Sequence, residues 1–361
     1  MKQVIICVAA LVIAACFSSS DAASLDDLFS EINRLSPVER QKRLEEGAQK
    51  EGSVKVFTIT YVTLIQAYLD AFMRKYPYIR AEYWRGSGNR LVNRVLMEHR
   101  LGKLDADIVS VPNEVPLTLK KEGVWARYRS PELAHYPAAF YDRDGYWSST
   151  HLGLAAIAYN TKLVKAQDAP KDYPDLLNRK WQGELSIDLE PERALQAWLI
   201  AWGEAKTREF LTRLLQNGTV IRRGHTLQLE LLCAGEVKIG VELYPDSVAR
   251  MKHEKGCPVN IVYPDPTPAQ LGTISGIAGR ASHPHAAALL IDFILSAAGS
   301  EILARTGQLT GRKGVRPPYE ELTDLDSKGV RLLVISPEKA NELLPETSKI
   351  MQEFLSSKKL K

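Results

Sequence analysis

Apolar and polar positions along the chain change spacing repeatedly, and this change predicts strands and helices in turn. The stretch GSVKVFTITY at 52–61 is rich in β-branched and aromatic residues, which is typical of a strand. In the following stretch, LIQAYLDAFMRKYP, apolar residues recur at helical spacing until Pro77. Residues 79–102 then predict a strand, a glycine loop and a helix ending at Gly102, and ADIVSVP at 106–112 predicts another strand.

The same alternation continues in the second half of the chain. HLGLAAIAYNT at 151–161 predicts a long, nearly uncharged strand, and strand–turn–helix units follow at 176–204 and 238–256. Another strand at 274–279 precedes a strongly apolar helix pair at 284–307. Strands that alternate with helices over short connections are typical of parallel βαβ units, so we expect an α/β fold.

Helical segments flank this alternating region. Residues 25–50 form a charged leader with apolar residues at helical spacing, and Ser36, Pro37 and Glu39 together are typical of a helix start. We expect the leader to pack on the outside of the body. The tail at 321–361 is polar and is predicted to be helical.

Residues 1–22 are typical of a secretory signal peptide. Lys2 precedes an apolar run at 4–15 that is too short to span a bilayer as a mature helix. Two cleavage forms fit, because IAAC at 13–16 resembles a bacterial lipobox and SDA at 20–22 is compatible with an ordinary cleavage site. We predict a lipid on Cys16, with soluble release as the alternative. Either form exports the protein, to the periplasm or as a body tethered to the outer side of the cytoplasmic membrane.

Composition narrows the function classes. The formal charge of +4 over 361 residues is too mild to favour nucleic-acid binding, so any recognition of charge has to be local. Of the four cysteines, Cys233 and Cys257 lie in the folded body, and an exported protein meets oxidising conditions in which they can form a disulfide. The alternative is a buried thiol and a loop thiol. This pair offers too few ligands for a metal site.

Catalytic motifs are missing from the sequence. It has no G-x-S-x-G turn, no phosphate loop ending in G-K-S/T, and no third glycine after Gly86 and Gly88 to complete a dinucleotide fingerprint. His225 is a candidate general base, but no nucleophile or orienting acid is coupled to it by spacing. We therefore predict a protein that is not an enzyme and needs no cofactor.

Polar turns that connect strands to helices are the remaining candidates for function. In α/β sheets, ligands bind at the carboxyl ends of strands, where such turns gather. Turns of this kind occur at 58–63, 85–89, 188–193, 222–226 and 244–247. The candidate ligand-binding residues in them are Thr60, Tyr61, Gly86, Ser87, Gly88, Glu190, Arg222, Arg223, Thr226 and Tyr244.

The order and spacing of several stretches resemble bacterial extracellular solute-binding proteins of ABC transporters, in the broad group that includes ferric-ion-binding proteins. These stretches include RLEEGAQKEGSVKVF, RKWQGELSID and SHPHAAALLIDFILSAAGSEIL, and the resemblance covers residues 35–317. It implies a type II periplasmic-binding fold, with two α/β lobes and a small-molecule ligand held between them. It also implies a monomer that delivers its ligand to the membrane permease of an ABC transporter.

The resemblance further implies how the chain is divided. Lobe 1 comprises 52–150 and 263–320, and lobe 2 comprises 151–262. The strands at 152–160 and 259–264 are the expected crossings between the lobes.

The ferric branch of this family binds iron through two adjacent tyrosines at the start of a helix in the second lobe. The corresponding stretch here, VELYPDSVARM, has Tyr244 followed by Pro245 and Asp246, so the pair is missing. Tyr61, Tyr244 and Asp246 remain an alternative oxygen-rich set, but we assign no metal. The alternatives to a solute receptor are a ferric-ion or metal-complex binding protein, and an exported enzyme or sensor module on the same fold.

Arg222 and Arg223 lie at a predicted helix start, with Thr226 as N-cap and Gly235 at the stop. A planar guanidinium group matches carboxylate or phosphonate oxygens, and the glycine loop at 86–88 can donate N–H groups from the opposite lobe. We therefore predict that the solute is anionic and that one of these arginines contacts it.

Two alternatives to this anion site remain open. Asp188 and Glu190 belong to a neighbouring turn, and if they also reach the cleft the solute carries both signs of charge. In the other alternative, the arginines have a structural role and form a salt bridge inside their own lobe.

Overall fold

Helices and strands alternate over residues 24–356, which are the residues that this computed structural model describes. The predicted signal peptide at 1–22, with its Cys16, therefore lies outside the described residues. The helices are α1 (Leu25–Arg34), α2 (Pro37–Glu51), α3 (Val62–Lys75), α4 (Gly88–Arg100), α5 (Pro116–Lys121), α6 (Glu192–Trp202), α7 (Glu204–Gln216), α8 (His225–Ala234), α9 (Pro245–Lys255), α10 (Pro284–Leu295), α11 (Ala297–Ala304) and α12 (Pro337–Ser356). The strands are β1 (Ser53–Thr58), β2 (Arg80–Arg85), β3 (Ile108–Val111), β4 (Ser148–Ser149), β5 (His151–Leu154), β6 (Ala156–Asn160), β7 (Leu185–Asp188), β8 (Val220–Arg222), β9 (Ile239–Leu243), β10 (Val259–Val262), β11 (Thr267–Leu271), β12 (Ile274–Ile277), β13 (Leu309–Thr310) and β14 (Leu332–Ile335).

The first sheet has the strand order β2-β1-β3-β12-β4. β1 pairs in parallel with β2 and β3, and β12 runs antiparallel to β3 and β4. Successive side chains of a strand point to opposite faces, and both Val56 and Phe57 of β1 are buried. Helices therefore cover both faces of this sheet, as expected for parallel βαβ units.

The second sheet has the strand order β10-β6-β9-β7-β8. β7 is parallel to its neighbours β8 and β9, whereas β6 is antiparallel to β9 and β10. The core on one face is aromatic: Trp198 of α6 is 1% exposed, stacks on Trp202 and meets Tyr173 edge-on with ring centroids 5.1 Å apart. This packing fixes α6, and with it the turn that precedes α6.

A third sheet, in the order β13-β5-β11-β14, joins the other two. β5 leads directly into β6 of the second sheet, so the predicted first crossing at 152–160 coincides with β5 and β6. The predicted second crossing at 259–264 contains β10, which pairs with β6 in the second sheet, and the chain then continues into β11, which pairs with β5 in the third sheet. Pro266 and Pro268 disfavour a strand by pattern, which is why the sequence did not indicate β11.

The N-terminal leader consists of α1 and α2 and packs against the first sheet's helices. Both helices begin with a capping box, formed by Ser24 with Asp27 and by Ser36 with Glu39. Phe29 of α1 is fully buried against Tyr128, with ring centroids 4.9 Å apart. The leader is therefore part of the core that supports the first sheet.

The C-terminal tail is not helical throughout, which corrects the prediction for 321–361. It contains β14, which pairs in parallel with β11, before α12 begins. The four residues of β14, LLVI, are too few for periodicity to separate a strand from a helix. α12 then packs against both α5 and α6, so the tail contacts the helices of both large sheets.

Cys233 and Cys257 form a disulfide, with Cα atoms 5.3 Å apart. The bridge ties the last turn of α8 to the short connection between α9 and β10, on the side of the second sheet. Among the described residues no single helix is long and apolar enough to cross a membrane, and the pair α10 and α11 meets that test jointly with a bend of 58° between them.

Candidate functional site

A cavity of about 270 Å³ lies where the three sheets meet. We call it the central cavity. β1, β3, β7 and β9 all end at its wall, so it lies at the carboxyl ends of strands from both large sheets. The lining residues are Ile59, Pro112, Asn113 and Glu114 after strands of the first sheet, His151, Gln270, Leu271, Gly272 and Thr273 from the third sheet and the turn after it, and Glu190, Glu192, Arg193, Glu242 and Tyr244 from the second sheet.

Carboxyl groups outnumber cationic groups in the central cavity. Glu114, Glu190, Glu192 and Glu242 line it with a single guanidinium, that of Arg193. The side chain of Glu192 is exposed at the rim of the cavity. Its pKa is nevertheless raised to about 7, mainly because burial removes water around the carboxyl group and secondly because Glu114, Glu190 and Glu242 carry negative charge nearby. Burial also raises the pKa of Glu114. The cavity is therefore acidic, and its carboxyl groups repel one another.

The imidazole of His151 adds no positive charge at neutral pH. Burial, together with the charge of Arg193, lowers the pKa of His151 to about 4. Its Nδ1 lies 2.9 Å from the hydroxyl of Thr150, and its ring occupies the space that a Cβ on Gly272 would fill. Position 272 therefore has to be glycine for this histidine to reach the cavity.

Glu242 is buried at the end of β9 in a left-handed backbone conformation, with φ of 61°. One oxygen accepts a hydrogen bond from the backbone N–H of Ala194 at 3.3 Å, in the first turn of α6. The other lies 3.4 Å from Nε2 of His225. A non-glycine residue held in this conformation is uncommon and costs free energy, so surrounding contacts must maintain it. The N-terminus of α6 is thus occupied by a carboxylate of the protein itself.

Arg193 connects the second sheet to the crossing strand β5. Its Nη1 donates to the backbone oxygen of Leu154 at 2.9 Å, and its guanidinium carbon lies 4.7 Å from the ring centroid of Tyr244. A Cβ on Gly153 would come within 2.8 Å of Nη2, so a larger residue there would displace the guanidinium from its present position. His225 also stacks on Tyr244, with centroids 4.1 Å apart. These contacts hold Tyr244 at the cavity wall.

Of the candidate residues in the second half of the chain, Glu190 and Tyr244 line the central cavity, whereas Arg222, Arg223 and Thr226 do not. Arg222 is exposed and donates to the backbone oxygen of Ile221 at 3.0 Å. Arg223 forms an exposed ion pair with Glu190 at 3.3 Å. The anion site predicted on these arginines is therefore not formed at the cavity.

The start of α8 also differs from the prediction. The N-cap is Gly224, with φ of 97°, and not Thr226, which lies exposed within the first turn. The N–H of Gly224 donates to Oδ2 of Asp188 at 2.6 Å, so a carboxylate from the neighbouring strand end binds the N-cap N–H, as the acidic residue of a capping box does. The helix ends at Gly235 as predicted.

The candidates in the first half of the chain lie beside the cavity, not on its wall. Thr60 receives a hydrogen bond at its carbonyl oxygen from Arg85, and Tyr61 packs with Leu64 and Tyr68. In the loop of Gly86, Ser87 and Gly88, the glycine at 86 is buried against Trp84 and the serine is exposed without capping α4.

The polar residues of the cavity wall that sequence reasoning missed are Asn113, Glu114, His151, Glu192, Arg193, Glu242, Gln270 and Thr273. Asn113 and Glu114 follow the strand ADIVSVP almost directly, so the rule used for the other turns would have found them. Arg193 lies in the polar turn at 188–193, from which the sequence predicts only Glu190 as a ligand-binding residue. No pattern distinguishes Glu242, which is a charged residue inside an otherwise apolar strand.

The oxygen-rich set considered for a metal is divided between two places. The charge of Asp246 helps to raise the pKa of both Tyr61 and Tyr244, after burial, so Asp246 lies near both tyrosines, but of the three only Tyr244 lines the central cavity. Within residues 24–356, no three His, Cys, Asp or Glu side chains form a group that could hold a metal ion.

A hydrogen-bonded chain of serine, histidine and aspartate occurs away from the cavity. Oγ of Ser53 lies 2.9 Å from Nε2 of His283, and Nδ1 of His283 lies 2.9 Å from Asp107. Asp107 also accepts the backbone N–H groups of Lys55 and His283, at 2.8 and 2.9 Å. Ser53 begins β1, so it lies at the opposite end of the strand from the cavity. These hydrogen bonds attach the N-terminus of α10 to the first sheet, so the three side chains have a structural role.

Comparisons with known proteins agree with this architecture. Residues 106–326 match the family described as bacterial extracellular solute-binding protein, which is more than half of the chain. Iron-bound HitA from Pseudomonas aeruginosa is similar at 20% identity and a TM-score of 0.73, over 84% of this chain and 99% of its own. AfuA from Actinobacillus pleuropneumoniae, with exogenous fructose-6-phosphate bound, has 20% identity and a TM-score of 0.69 over 86% and 99%. The search of the curated proteins returns no match.

A third solved structure is the substrate binding protein of an ABC transporter from Agrobacterium tumefaciens, with 15% identity and a TM-score of 0.71 over 84% of this chain and 93% of its own. These likenesses show the fold, which is the two-lobed type II periplasmic-binding fold. The family is extracellular, so the protein works outside the cytoplasmic membrane. With a match over this much of its length, the chain belongs to the family of bacterial extracellular solute-binding proteins.

Proposed function

We propose that this protein is the receptor of an ABC importer, that it binds one small polar solute in the central cavity, and that it passes the solute to a membrane permease. The observation that carries the proposal is the lining of the cavity, which combines residues from both large sheets and from the crossing strands between them. A solute there contacts both lobes together, so its binding favours the closed arrangement of the lobes.

The size and polarity of the cavity support a small hydrophilic ligand. About 270 Å³ is slightly below the usual range for a drug-sized molecule, and half of the lining residues carry charged or amide side chains. The names of the similar structures describe iron and a sugar phosphate as ligands of those proteins. At 20% identity or less, those ligands do not carry over to this chain.

We further propose that binding is not followed by a reaction and that the protein acts as a monomer. The Ser53–His283–Asp107 chain begins at the far end of β1, and the cavity wall contains no serine or cysteine nucleophile among the described residues. A receptor of this kind releases its solute chemically unchanged.

Native mass spectrometry of the freshly purified protein tests the proposal. We expect a monomer that carries one small molecule, which denaturation releases. That molecule, once identified, should raise the melting temperature of the emptied protein, because a ligand that binds only the native state stabilises it by mass action. Deletion of the gene should abolish its uptake by cells. Conversion of the molecule during incubation, with uptake unchanged after deletion, would contradict the proposal.

A further inference from the structure

We infer that the solute is a small organic cation, with an ammonium or guanidinium group held between Glu114 and Glu192 in the central cavity. This inference rests on the proposed function, since it describes the solute of the same receptor. It replaces the anionic solute that the arginines at 222 and 223 suggested from sequence. The argument depends on the unpaired charges of the cavity, on where the two glutamates come from, and on a buried acceptor beside them.

The cavity carries more negative charge than its own groups neutralise. Glu242 accepts the N–H of Ala194 and lies beside His225, and Glu190 pairs with Arg223. Glu114 and Glu192 form no ion pair with any side chain in the described part of the protein, although Arg193 is near enough to lower the pKa of both. One guanidinium among four carboxyl groups leaves room for at least one further positive charge.

Glu114 and Glu192 approach the cavity from opposite lobes. Glu114 follows β3 of the first sheet, and Glu192 begins α6 beside the second sheet. Because the charge of Glu114 raises the pKa of Glu192, closing the empty cavity brings like charges together. A cation between them turns this repulsion into attraction from both sides. Recognition of charge and closure of the lobes then depend on the same two residues.

A buried acceptor without a donor gives independent support. Asn113 lines the cavity and is 3% exposed; its Nδ2 donates to the backbone oxygen of Ile335 at 3.2 Å, but its Oδ1 accepts no hydrogen bond. Buried polar atoms are nearly always paired, so an unpaired acceptor at a binding cavity points to a ligand that brings N–H donors. An ammonium or guanidinium group supplies several.

Nε2 of His151 is a second polar atom at this wall for which the described residues supply no partner. Nε of Arg193 is also buried without an acceptor. These two atoms are suited to a hydroxyl or carbonyl oxygen next to the cationic group. The ligand chemistry that fits the cavity is thus a small amine or guanidine that also carries an oxygen.

The proposed contact makes binding depend on pH in a defined direction. The groups facing Glu192 are Glu114 from the loop after β3, Glu190 and Arg193 from its own turn, and Glu242 from β9. Glu192, with its pKa of about 7, is largely protonated at pH 5.5 and ionised at pH 8.5. A cation binds the ionised form better, so affinity should rise between these pH values and level off above them.

The test measures binding to the emptied protein by calorimetry at pH 5.5, 7 and 8.5. The cationic probes are ethanolamine, putrescine and agmatine; the anionic probes are inorganic phosphate, citrate and fructose-6-phosphate. The variants are Glu114→Gln and Glu192→Gln. Glu209→Gln is the matched control, because Glu209 is an exposed residue of α7 paired only with Arg213 at 3.6 Å.

We expect at least one cationic probe to bind, each glutamine variant to weaken its binding by about 10- to 100-fold, and the control to leave it unchanged. Affinity should increase with pH in the wild type and lose most of that increase in Glu192→Gln. Saturable binding of an anionic probe alone would overturn the inference while leaving the receptor function intact. Cation binding that neither variant weakens, or no cation binding at all, would overturn it as well.

Failure of the proposed function has a different signature. In that case, native mass spectrometry would find no small molecule on the purified protein, and neither class of probe would raise the melting temperature. A co-purified molecule without a cationic group contradicts only the inference about charge.

Discussion

Single carboxylates determine how the first sheet is joined to its helices. Asp107 accepts hydrogen bonds from two backbone N–H groups and lies 2.9 Å from Nδ1 of His283. Glu51 accepts hydrogen bonds from the backbone N–H groups of His285 and Ala286, at 3.1 and 2.8 Å. Both carboxylates therefore lie at the N-terminus of α10, where the helix dipole favours negative charge. The histidines around Pro284 have a structural role in this arrangement.

We predict that Asp107→Asn lowers the free energy of unfolding by about 2–4 kcal/mol, because it removes a buried charge that several donors share. Denaturant unfolding followed by circular dichroism measures this value. The control is Asp105→Asn, two residues away, whose side chain is 72% exposed and paired with Lys55. That change should cost less than about 1 kcal/mol. Equal losses of unfolding free energy in the two variants would contradict the role of Asp107 in attaching α10 to the first sheet.

The exposed arginines provide a second prediction at this scale. Arg222→Ala and Arg223→Ala should change affinity for the co-purified solute by less than about threefold, since Arg223 is 74% exposed and its ion pair is solvated. Calorimetry on both variants checks this. A tenfold loss in either one would restore the anion site predicted from sequence.

At the scale of elements, sheet order explains which part of the site the sequence predicts. Patterning correctly indicates the alternating strands and helices, and the general rule for α/β sheets then predicts ligands at strand ends. It does not show which strands are central. The turns after β2 and β8 follow edge strands, so Ser87 and Arg222 lie off the cavity. The ends of β3 and β9 are nearer the centre of their sheets, so Glu114 and Tyr244 line it. Strand order depends on long-range packing, which spacing along the chain does not reveal.

The bridge between α8 and β10 gives a prediction for the second sheet. Cys233 and Cys257 are 24 residues apart, and closing a loop of this length in the unfolded chain stabilises the native state by about 3 kcal/mol. Replacing both cysteines by serine should lower the free energy of unfolding by about 2–4 kcal/mol. A reductant should destabilise the wild type and leave the double variant unaffected. No response of the wild type to the reductant would contradict the prediction.

The whole molecule is held together by its third sheet and its tail. β5 and β11 connect the large sheets, β14 extends them, and α12 contacts α5 on one side and α6 on the other. Arg208 of α7 adds ion pairs to Glu346, at 2.8 Å, and to Glu353 of α12. The two lobes are therefore linked by more than a pair of crossing strands.

We predict that the protein unfolds in a single transition. Domains joined only by a flexible linker often melt separately, but the shared third sheet and α12 couple the lobes here. Differential scanning calorimetry should show one peak, with calorimetric and van't Hoff enthalpies in agreement. Two resolved peaks would contradict this coupling.

The four-stranded third sheet also has a mechanical consequence. A hinge of two strands bends by twisting a narrow ribbon, whereas bending four paired strands strains more hydrogen bonds at once. The lobes should then open through a narrower angle, and opening rather than the contacts of the solute would set how fast the solute leaves. We therefore expect the receptor alone to exchange its solute slowly with the medium. Its permease would have to do mechanical work on the hinge to unload it.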